Sequence, residues 1–384
     1  MLRIGIVAGE PSGDMLGAGL VHELSKKVEN ISIEGIGGEK LANEKMNILF
    51  PMERLSVMGF TEIFGRYFEL KKIRGKLIKY FLENPPDVFI GIDAPDFNLY
   101  IEKKLRQAGI KTIHYVSPSI WAWRESRVKN IRESVDLILN LFPFETEIYD
   151  KYNIPNRYIG HPLADTLLSS PPDIKSARSQ LDIPLGKKMI AILPGSRKNE
   201  IRRIAPSLLK AAYILQQKNK NILFVSALVD KSSYEIFKKI KNKVTPTLEI
   251  KNHIGKTHRI IESSDIVMLA SGTATLETML LYKPMVVVYK LSWPTYFIVK
   301  MLTKIPYASL PNILANDNIV SECLQHRCRP NVIVSELDKL LNSSNNIKKT
   351  INCYKKLSNI LRKQANTEAA NAVLKLIQYE KFTR

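Results

Sequence analysis

The sequence is poor in cysteine and has no long apolar run, and each absence excludes a class of protein. The three cysteines, Cys323, Cys328 and Cys353, lack the spacing of a zinc site, and only His326 lies near them. We therefore expect reduced thiols, no metal and no other cofactor. No stretch reaches the ~18 apolar residues that a membrane-spanning helix requires, so any membrane contact is expected to be peripheral.

Acidic residues are also scarce. The chain has 37 Asp and Glu against 57 Lys and Arg, which leaves a formal net charge of +20. Such a surplus attracts nucleic acid, anionic lipid headgroups or phosphorylated substrates. No recognised nucleic-acid-binding motif accompanies the charge, and we expect no nucleic-acid partner. The apolar run at residues 1–9 is too short for a signal peptide and lacks a cleavage site, which predicts a cytoplasmic protein.

Short apolar runs alternate with longer amphipathic ones, a pattern typical of βα units around parallel sheets. Ten strands are predicted, five in each half: residues 3–8, 31–36, 88–92, 111–116 and 137–141, then 189–193, 222–226, 248–251, 266–269 and 285–289. Residues 169–173 are rich in serine and proline and predict a linker. We therefore predict an α/β protein with Rossmann-like domains at 1–170 and 171–344. Helices are predicted at 345–384, part of which packs back on the first domain or is exchanged between chains.

Two loops of the first half carry carboxylates directly after predicted strands. The first is rich in glycine, which lets the backbone approach a ligand, but its spacing is not that of a dinucleotide-binding fingerprint. Glu10, Ser12 and Asp14 are predicted there to bind substrate, with helix capping by Asp14 as the alternative. In the second loop Asp93 follows a strand end, where its carboxylate would face a cleft and act as a general base.

Polar and aromatic side chains cluster after the third and fourth predicted strands. Those predicted to bind substrate are Asp96, Asn98, Ser117, Trp121 and Arg124. Aromatic rings beside an arginine predict a sugar platform, although packing in the core is an equal alternative for Trp121. Asp96 follows a proline and is also placed to cap a helix or fix the loop.

Two small-residue turns of the second half each follow a strand and begin a helix. Such a turn offers backbone amides and the positive end of a helix dipole to phosphate. The predicted nucleotide-binding residues are Gly195, Ser196, Arg197, Ser271, Gly272, Thr273 and Glu277. Arg197 adds a guanidinium for a diphosphate, and Glu277 is within reach of a ribose diol. A plain turn and simple helix capping are the alternatives. Asn312 and Gln325 are predicted to line the cleft.

Taken in order, these motifs resemble the lipid-A-disaccharide synthase family. The resemblance rests on residues 8–10 with 12–14, 91–98, 114–119 with 121–124, 142–145, 160–162, 193–197, 271–273 with 276–277, and 310–312. It implies a GT-B fold in which the first domain binds the acceptor and the second binds a UDP-sugar. It also implies catalytic roles for Asp93 and Arg197.

The same resemblance implies an inverting, metal-independent glycosyl transfer. The donor would be UDP-2,3-diacylglucosamine and the acceptor 2,3-diacylglucosamine 1-phosphate (lipid X), giving the β-1,6-linked lipid A disaccharide 1-phosphate and UDP. The resemblance also implies a homodimer in which the two chains exchange carboxy-terminal elements. Inversion requires a base on one side of the reacting carbon and the leaving group on the other, so the two should come from different domains.

Other functions stay open at this point. A second GT-B enzyme acting on UDP-N-acetylglucosamine, of the 2-epimerase type, would share the nucleotide turns without needing apolar surface patches. A non-catalytic lipid-binding protein would keep those patches and tolerate the loss of Asp93. A nucleic-acid binder would account for the charge alone.

Residues 57–82 combine apolar and basic side chains near helical spacing, which predicts docking on the cytoplasmic face of the inner membrane. The apolar members are Phe60, Ile63, Phe64, Tyr67, Phe68, Leu70 and Ile73. Residues 293–302 have the same character. Both stretches fit an interfacial element on an anionic membrane surface, at ~1 kcal/mol for each basic residue near that surface. Part of the first stretch is expected to face the core.

Overall fold

The structure, a computed structural model, describes residues 1–55, 60–118, 120, 127–170, 172–293, 295–297 and 306–381, with backbone alone for 60–67 and 378–381. Two compact units divide the chain: Met1–Asp165 with Leu361–Arg384, and Thr166–Ile360. The chain therefore leaves the first unit once and returns to it near its end. That the first unit binds the acceptor and the second the nucleotide stays a prediction.

The first unit is built on a seven-stranded parallel sheet in the order β3-β2-β1-β4-β5-β6-β7. Its strands are β1 (Leu2–Ala8), β2 (Ile31–Gly37), β3 (Asn47–Pro51), β4 (Val88–Ile92), β5 (Lys111–Tyr115), β6 (Leu137–Asn140) and β7 (Asn156–Tyr158). The central strands are apolar at nearly every position because helices cover both faces. Ile4 and Ile6 lie in one buried cluster, and Val7 lies in a second one on the opposite face.

Among the described residues, eight α-helices accompany this sheet. They are α1 (Pro11–Lys27), α2 (Glu39–Asn43), α3 (Phe60–Glu83), α4 (Pro95–Gln107), α5 (Val128–Ser134), α6 (Phe144–Lys151), α7 (Pro162–Leu167) and, at the end of the chain, α16 (Ala365–Lys381). Apolar residues four apart on α3, Ile73, Leu77 and Phe81, are buried against the sheet. This face of α3 belongs to the core, as expected for part of the stretch.

The second unit repeats the plan with a six-stranded parallel sheet in the order β10-β9-β8-β11-β12-β13. Its strands are β8 (Lys188–Leu193), β9 (Ile222–Leu228), β10 (Ile250–Ile254), β11 (Ile266–Ala270), β12 (Met285–Tyr289) and β13 (Ser321–Leu324). Its helices are α8 (Ile174–Ser179), α9 (Lys198–Lys218), α10 (Lys231–Val244), α11 (Thr257–Ser263), α12 (Thr273–Leu280), α13 (Leu310–Ala315), α14 (Pro330–Asn342) and α15 (Ser344–Leu361). Helices α9 and α14 bury Leu208, Leu209 and Leu337 in its main core.

Both sheets reverse their strand order at one point. In the first unit the chain runs outward from β1 to β3 and then restarts on the other side of β1 with β4. In the second unit the same reversal falls between β8 and β11. Loops that leave the carboxyl ends of such a strand pair run to opposite faces of the sheet, which opens a crevice where α/β proteins bind ligands.

Helix α16 packs on α1 of the same chain. Gly19 makes this approach possible, because a Cβ there would lie 2.5 Å from Nδ2 of Asn366. The amides of Gln364 and Ala365 donate to the carboxylate of Asp165, at 2.9 and 2.6 Å, and so cap the helix. Within the described ranges, no helix combines the length and the apolarity that crossing a membrane requires.

Candidate functional site

The loops after β1 and β4 meet at the reversal of the first sheet. A Cβ on Gly9 would lie 3.4 Å from that of Ala94, and one on Gly13 would lie 3.4 Å from Ile92. The small residues of the first loop therefore let the start of α1 lie directly against the end of β4. Glu10 and Ser12 are exposed at this start, so the two side chains are available to a ligand.

Asp93 occupies a strained turn at the end of β4. Asp93 and Ala94 both have positive φ, 53° and 45°, a region in which non-glycine residues cost about 1–3 kcal/mol each. The Asp93 amide donates to the carbonyl of Tyr115 on β5 at 2.9 Å, and its side chain is half-buried. Strain of this kind is concentrated at functional sites, where surrounding contacts maintain it.

The side chain of Asn98 holds the Asp93 turn through hydrogen bonds to backbone carbonyls. Its side chain is fully buried, and Nδ2 donates to the carbonyls of Asp93 at 2.8 Å and of Ile92 and Val7 at 3.3 Å. These bonds fix the backbone that carries the catalytic candidate. Direct contact between Asn98 and substrate stays a prediction.

A buried pair that the sequence analysis missed lies one turn further along α4. Oε1 of Glu102 is 2.8 Å from Nδ1 of His114 on β5, and both side chains are fully buried. Burial raises the pKa of Glu102, although the neighbouring imidazole opposes this shift. The only sequence signal was the four-residue spacing from Asn98 to Glu102, which puts both on the face of α4 toward the sheet.

Three other first-unit candidates have partners elsewhere in the same unit. The carboxylate of Asp14 accepts the amides of Gly38, Lys40 and Leu41 at 2.7, 3.0 and 3.2 Å, and thereby caps α2. Asp96 is exposed and pairs with Arg127 at 2.8 Å, and Ser117 is buried with its hydroxyl 2.7 Å from that of Tyr149. Capping is thus the observed role of Asp14, although on a different helix from the one expected. Trp121 and Arg124 lie outside the described residues.

The first turn of the second unit joins β8 to α9. Gly195 has φ 107°, and a Cβ there would collide with Oε2 of Glu200. Ser196 and Arg197 are exposed, which leaves the guanidinium accessible. Glu200, in the first turn of α9, folds back so that Oε2 accepts the Ser196 amide at 3.1 Å. Burial raises the pKa of Glu200, against the opposing effect of the Ser196 and Arg197 amides.

The second turn joins β11 to α12, beside the first turn in the sheet. Ser271 donates its hydroxyl proton to the carbonyl of Ala308, while Gly272 and Thr273 are exposed. Oε1 of Glu277, one helical turn further on, lies 3.3 Å from Nδ1 of His258. The two turns are therefore neighbours at the carboxyl edge, as β8 and β11 are adjacent strands.

Asn312 and Gln325 hold backbone in the structure. Asn312 is fully buried, donates to the carbonyl of Val320 at 3.0 Å and accepts its amide at 2.9 Å. Gln325 accepts the amide of Leu291 at 2.6 Å. That Asn312 and Gln325 also line the substrate cleft stays a prediction. In the part of the chain that the structure describes, no three His, Cys, Asp or Glu side chains converge as a metal site would require.

Two doubly wound parallel units followed by carboxy-terminal helices define an α/β protein of GT-B type. Solved structures share this fold. The UDP-GlcNAc 2-epimerase from Neisseria meningitidis bound to UDP-GlcNAc matches with a TM-score of 0.66 and 13% identity, over 99% of this chain and 100% of that one. The S. aureus MnaA–UDP structure matches with a TM-score of 0.64 and 12% identity, over 99% and 97%. At these identities the likeness shows the fold alone.

The sequence profile described as Lipid-A-disaccharide synthetase matches residues 4–376. Proteins named Lipid-A-disaccharide synthase from Vibrio parahaemolyticus and Aeromonas hydrophila are 46% and 43% identical over 98% of this chain, and cover 99% and 98% of their own length. The chain belongs to the lipid-A-disaccharide synthetase family. The predictions of a GT-B fold and of a glycosyltransferase of lipid A biosynthesis are confirmed, and the epimerase-type alternative is not favoured.

Proposed function

We propose that this chain condenses UDP-2,3-diacylglucosamine with lipid X to give the β-1,6-linked disaccharide 1-phosphate and UDP. The observation that carries the proposal is the chemistry of the loops at the two strand-order reversals. Those of the first unit present carboxylates, above all the strained Asp93, and suit a hydroxyl acceptor. Those of the second unit present helix starts and Arg197, and suit a diphosphate.

In the proposed reaction the 6-hydroxyl oxygen of lipid X attacks the anomeric carbon of the donor. The bond from that carbon to the UDP oxygen breaks, and the configuration inverts. Asp93 takes the hydroxyl proton as general base. Arg197 and the backbone amides at the helix starts after β8 and β11 stabilise the negative charge that develops on the departing UDP. Loss of one such contact typically costs ~3–4 kcal/mol of transition-state stabilisation.

The remaining candidates divide by exposure. Glu10 and Ser12 are proposed to bind the acceptor sugar, because both are exposed beside the Asp93 turn. Thr273 and Glu277 are proposed to bind the nucleotide. Asn98 is proposed to position Asp93 without touching substrate, because its side chain donates to three backbone carbonyls at and beside the Asp93 turn.

One assay tests the proposed reaction directly. Purified protein is mixed in detergent with the two acylated glucosamine substrates, and both UDP release and disaccharide formation are followed. We expect both products in equal amounts, and only when both substrates are present. UDP release from UDP-N-acetylglucosamine alone, or its 2-epimerisation, would instead favour the epimerase-type reading. Lipid binding without any product would favour a lipid carrier.

We further propose peripheral docking on the cytoplasmic face of the inner membrane. Phe68 on α3 is 78% exposed, and Trp293 and Phe297 are 62% and 58% exposed with their ring centroids 6.1 Å apart. Lys290, shortly before Trp293 in the sequence, is also exposed. Apolar rings beside cations suit the headgroup region of an anionic bilayer. Docking there would bring the enzyme to substrates whose acyl chains are buried in the bilayer. The side chains of residues 60–67, and residues 298–302 entirely, lie outside the described part of the chain.

The homodimer with exchanged carboxy-terminal elements is also retained as a proposal. Its support is the apolar seam of α16, formed by Ala369, Ala370 and Val373, which is buried within the first-unit core. A helix held by such a seam fits equally well when a second chain supplies it. Light scattering of the full chain, compared with a chain ending before α16, tests this proposal.

A further inference from the structure

Glu322 on β13 gathers four donors from the segment that precedes and begins α13. Its Oε2 accepts the Ala308 amide at 2.9 Å, and its Oε1 accepts the Ser309 amide at 2.9 Å and the Ser309 hydroxyl at 2.6 Å. Asn312 donates to the same Oε1 at 2.8 Å. Four charge-assisted hydrogen bonds to one carboxylate make this segment a fixed part of the second unit.

The fixed segment in turn holds a residue of the second nucleotide turn. The Ala308 carbonyl accepts the hydroxyl proton of Ser271, and the Ser271 amide donates to Val288 on β12 at 3.3 Å. Strand β12 lies between β11, which precedes Ser271, and β13, which carries Glu322. A single chain of contacts therefore runs from Glu322 through Ala308 to Ser271.

This arrangement determines what Ser271 can offer a ligand. A hydroxyl has one proton to donate and two lone pairs that accept, and the proton of Ser271 is already used by Ala308. The oxygen is left as an acceptor. A phosphate oxygen cannot donate to it, whereas a hydroxyl group of the nucleotide sugar can.

We propose that Glu322 is a positioning residue of the nucleotide-sugar site, which orients Ser271 to accept a hydrogen bond from a ligand hydroxyl. The inference rests on the proposed function, because it assumes that the second unit binds UDP and its sugar. The hydroxyl comes from the ribose or from the glucosamine. Phosphate is bound by the exposed backbone of the turn and by Arg197, and not by the Ser271 side chain.

A double-mutant cycle tests this proposal. Binding of UDP and of UDP-N-acetylglucosamine to the full chain is measured by calorimetry for wild type, Glu322→Gln, Ser271→Ala and the double variant. Because glutamine places an NH2 group against donors, Glu322→Gln should weaken binding about tenfold. The double variant should bind no more weakly than the worse single variant, since both changes remove one interaction. Glu322→Gln and Arg197→Ala should act independently, because they affect different contacts with the ligand. The loss of affinity in that double variant should therefore equal the product of the two single losses.

Glu336 supplies the matched control. This glutamate of the second unit accepts hydrogen bonds from the Ser321 hydroxyl at 2.8 Å and from Lys339 Nζ at 2.9 Å. Ser321 precedes Glu322 in the sequence, but neither bond of Glu336 involves Ala308, Ser309 or Asn312. Glu336→Gln should leave binding of both ligands unchanged. A loss in the Ser271 variant with UDP assigns the hydroxyl to the ribose, and a loss with UDP-N-acetylglucosamine alone assigns it to the sugar.

Two outcomes overturn the inference. If Glu322→Gln binds both ligands as wild type does, or if its effect multiplies with that of Ser271→Ala, Glu322 does not act through Ser271. The proposed function fails differently: wild type would then not bind UDP, or Arg197→Ala would bind it normally. Loss with Arg197→Ala but not with Glu322→Gln rejects the positioning role alone.

Discussion

Oε2 of Glu200 accepts the backbone amide of Ser196 at 3.1 Å, so a carboxylate of the protein occupies a donor proposed for the diphosphate of UDP. The same carboxylate reaches back toward the amide of Arg197 at the start of α9, an arrangement related to the capping box. A ligand phosphate must therefore displace Glu200 or bind beside its negative charge. Either event costs binding free energy.

Glu200→Gln is expected to tighten the binding of UDP. The amide oxygen of glutamine can still accept from Ser196, whereas the repulsion between a half-buried carboxylate and the diphosphate is removed. We expect the Kd of UDP to fall about three- to tenfold in calorimetry. Glu235→Gln, at an exposed glutamate of the same unit, is the control and should change nothing. Unchanged or weaker binding by Glu200→Gln would show that capping of the turn outweighs the repulsion.

The central strands of both sheets could be predicted because helices bury them on two faces, which leaves continuous apolar runs such as 88–92. The strands that the apolar pattern does not predict are β3, β7 and β13, and each is an edge strand of its sheet. Edge strands bury less, and the three residues of β7 include no aliphatic side chain. The strand predicted at 248–251 lies at 250–254, because the buried Leu248 precedes a mostly polar strand.

The loops of the candidate site could be predicted because each follows an apolar strand directly in sequence, as after β1, β4, β8 and β11, which flank the two strand-order reversals. The site could not be predicted where one side chain reaches across the fold. Asp14 accepts an amide 24 residues away, at the start of α2, and Glu322 on β13 accepts the amide of Ala308 in the segment before α13. Such partners have no common spacing, so only the tertiary structure reveals them.

Asp93→Asn is expected to fold normally and to lose about 100- to 10,000-fold in turnover, the range typical of a removed general base. Asparagine keeps the size of the side chain and tolerates the left-handed φ of this turn. Turnover is measured by UDP release with both acylated substrates, and folding by thermal unfolding. Glu83→Gln, at an exposed glutamate of α3, is the control. Near wild-type turnover of Asp93→Asn would remove Asp93 from the mechanism.

Asn98→Ala separates positioning from direct contact. Removal of three hydrogen bonds beneath the Asp93 turn should lower kcat while the KM of the acceptor changes little, because the backbone, and not a ligand, loses its partner. Thermal stability should also fall. A rise in acceptor KM at constant kcat would instead support the substrate contact predicted from the sequence.

Phe68→Ser and Trp293→Ser are each expected to weaken binding to anionic vesicles about ten- to hundredfold, since insertion of a large apolar side chain contributes about 1.5–3 kcal/mol. Flotation with vesicles that contain phosphatidylglycerol measures the bound fraction, and added salt should lower it further by screening the basic residues. Leu185→Ser, at a 62% exposed leucine outside both patches, should bind as wild type does. Binding insensitive to both substitutions and to salt would contradict membrane docking at these sites.

His161 should make stability depend on pH. Burial against Phe142, whose ring centroid is 5.5 Å away, accompanies a fall of the pKa of His161 from 6.5 to about 4. Its Nδ1 accepts the Leu163 amide at 3.1 Å, which requires that nitrogen to be unprotonated. Because the unfolded chain binds this proton more readily, the stabilisation is complete above pH 6.5 and is lost as the pH falls toward 4.

His161→Asn is expected to remove that pH dependence. The asparagine oxygen can accept from Leu163 as Nδ1 does, but it does not titrate. Between pH 6.5 and pH 4, His161 should lower the free energy of unfolding of wild type by up to about 3 kcal/mol. The variant lacks this contribution, so its free energy of unfolding should decrease less over the same pH range. Urea unfolding at half-unit pH steps measures both, with His326→Asn, at an exposed histidine, as control. Parallel curves for wild type and His161→Asn would show that the ring is protonated as readily in the folded chain as in the unfolded one.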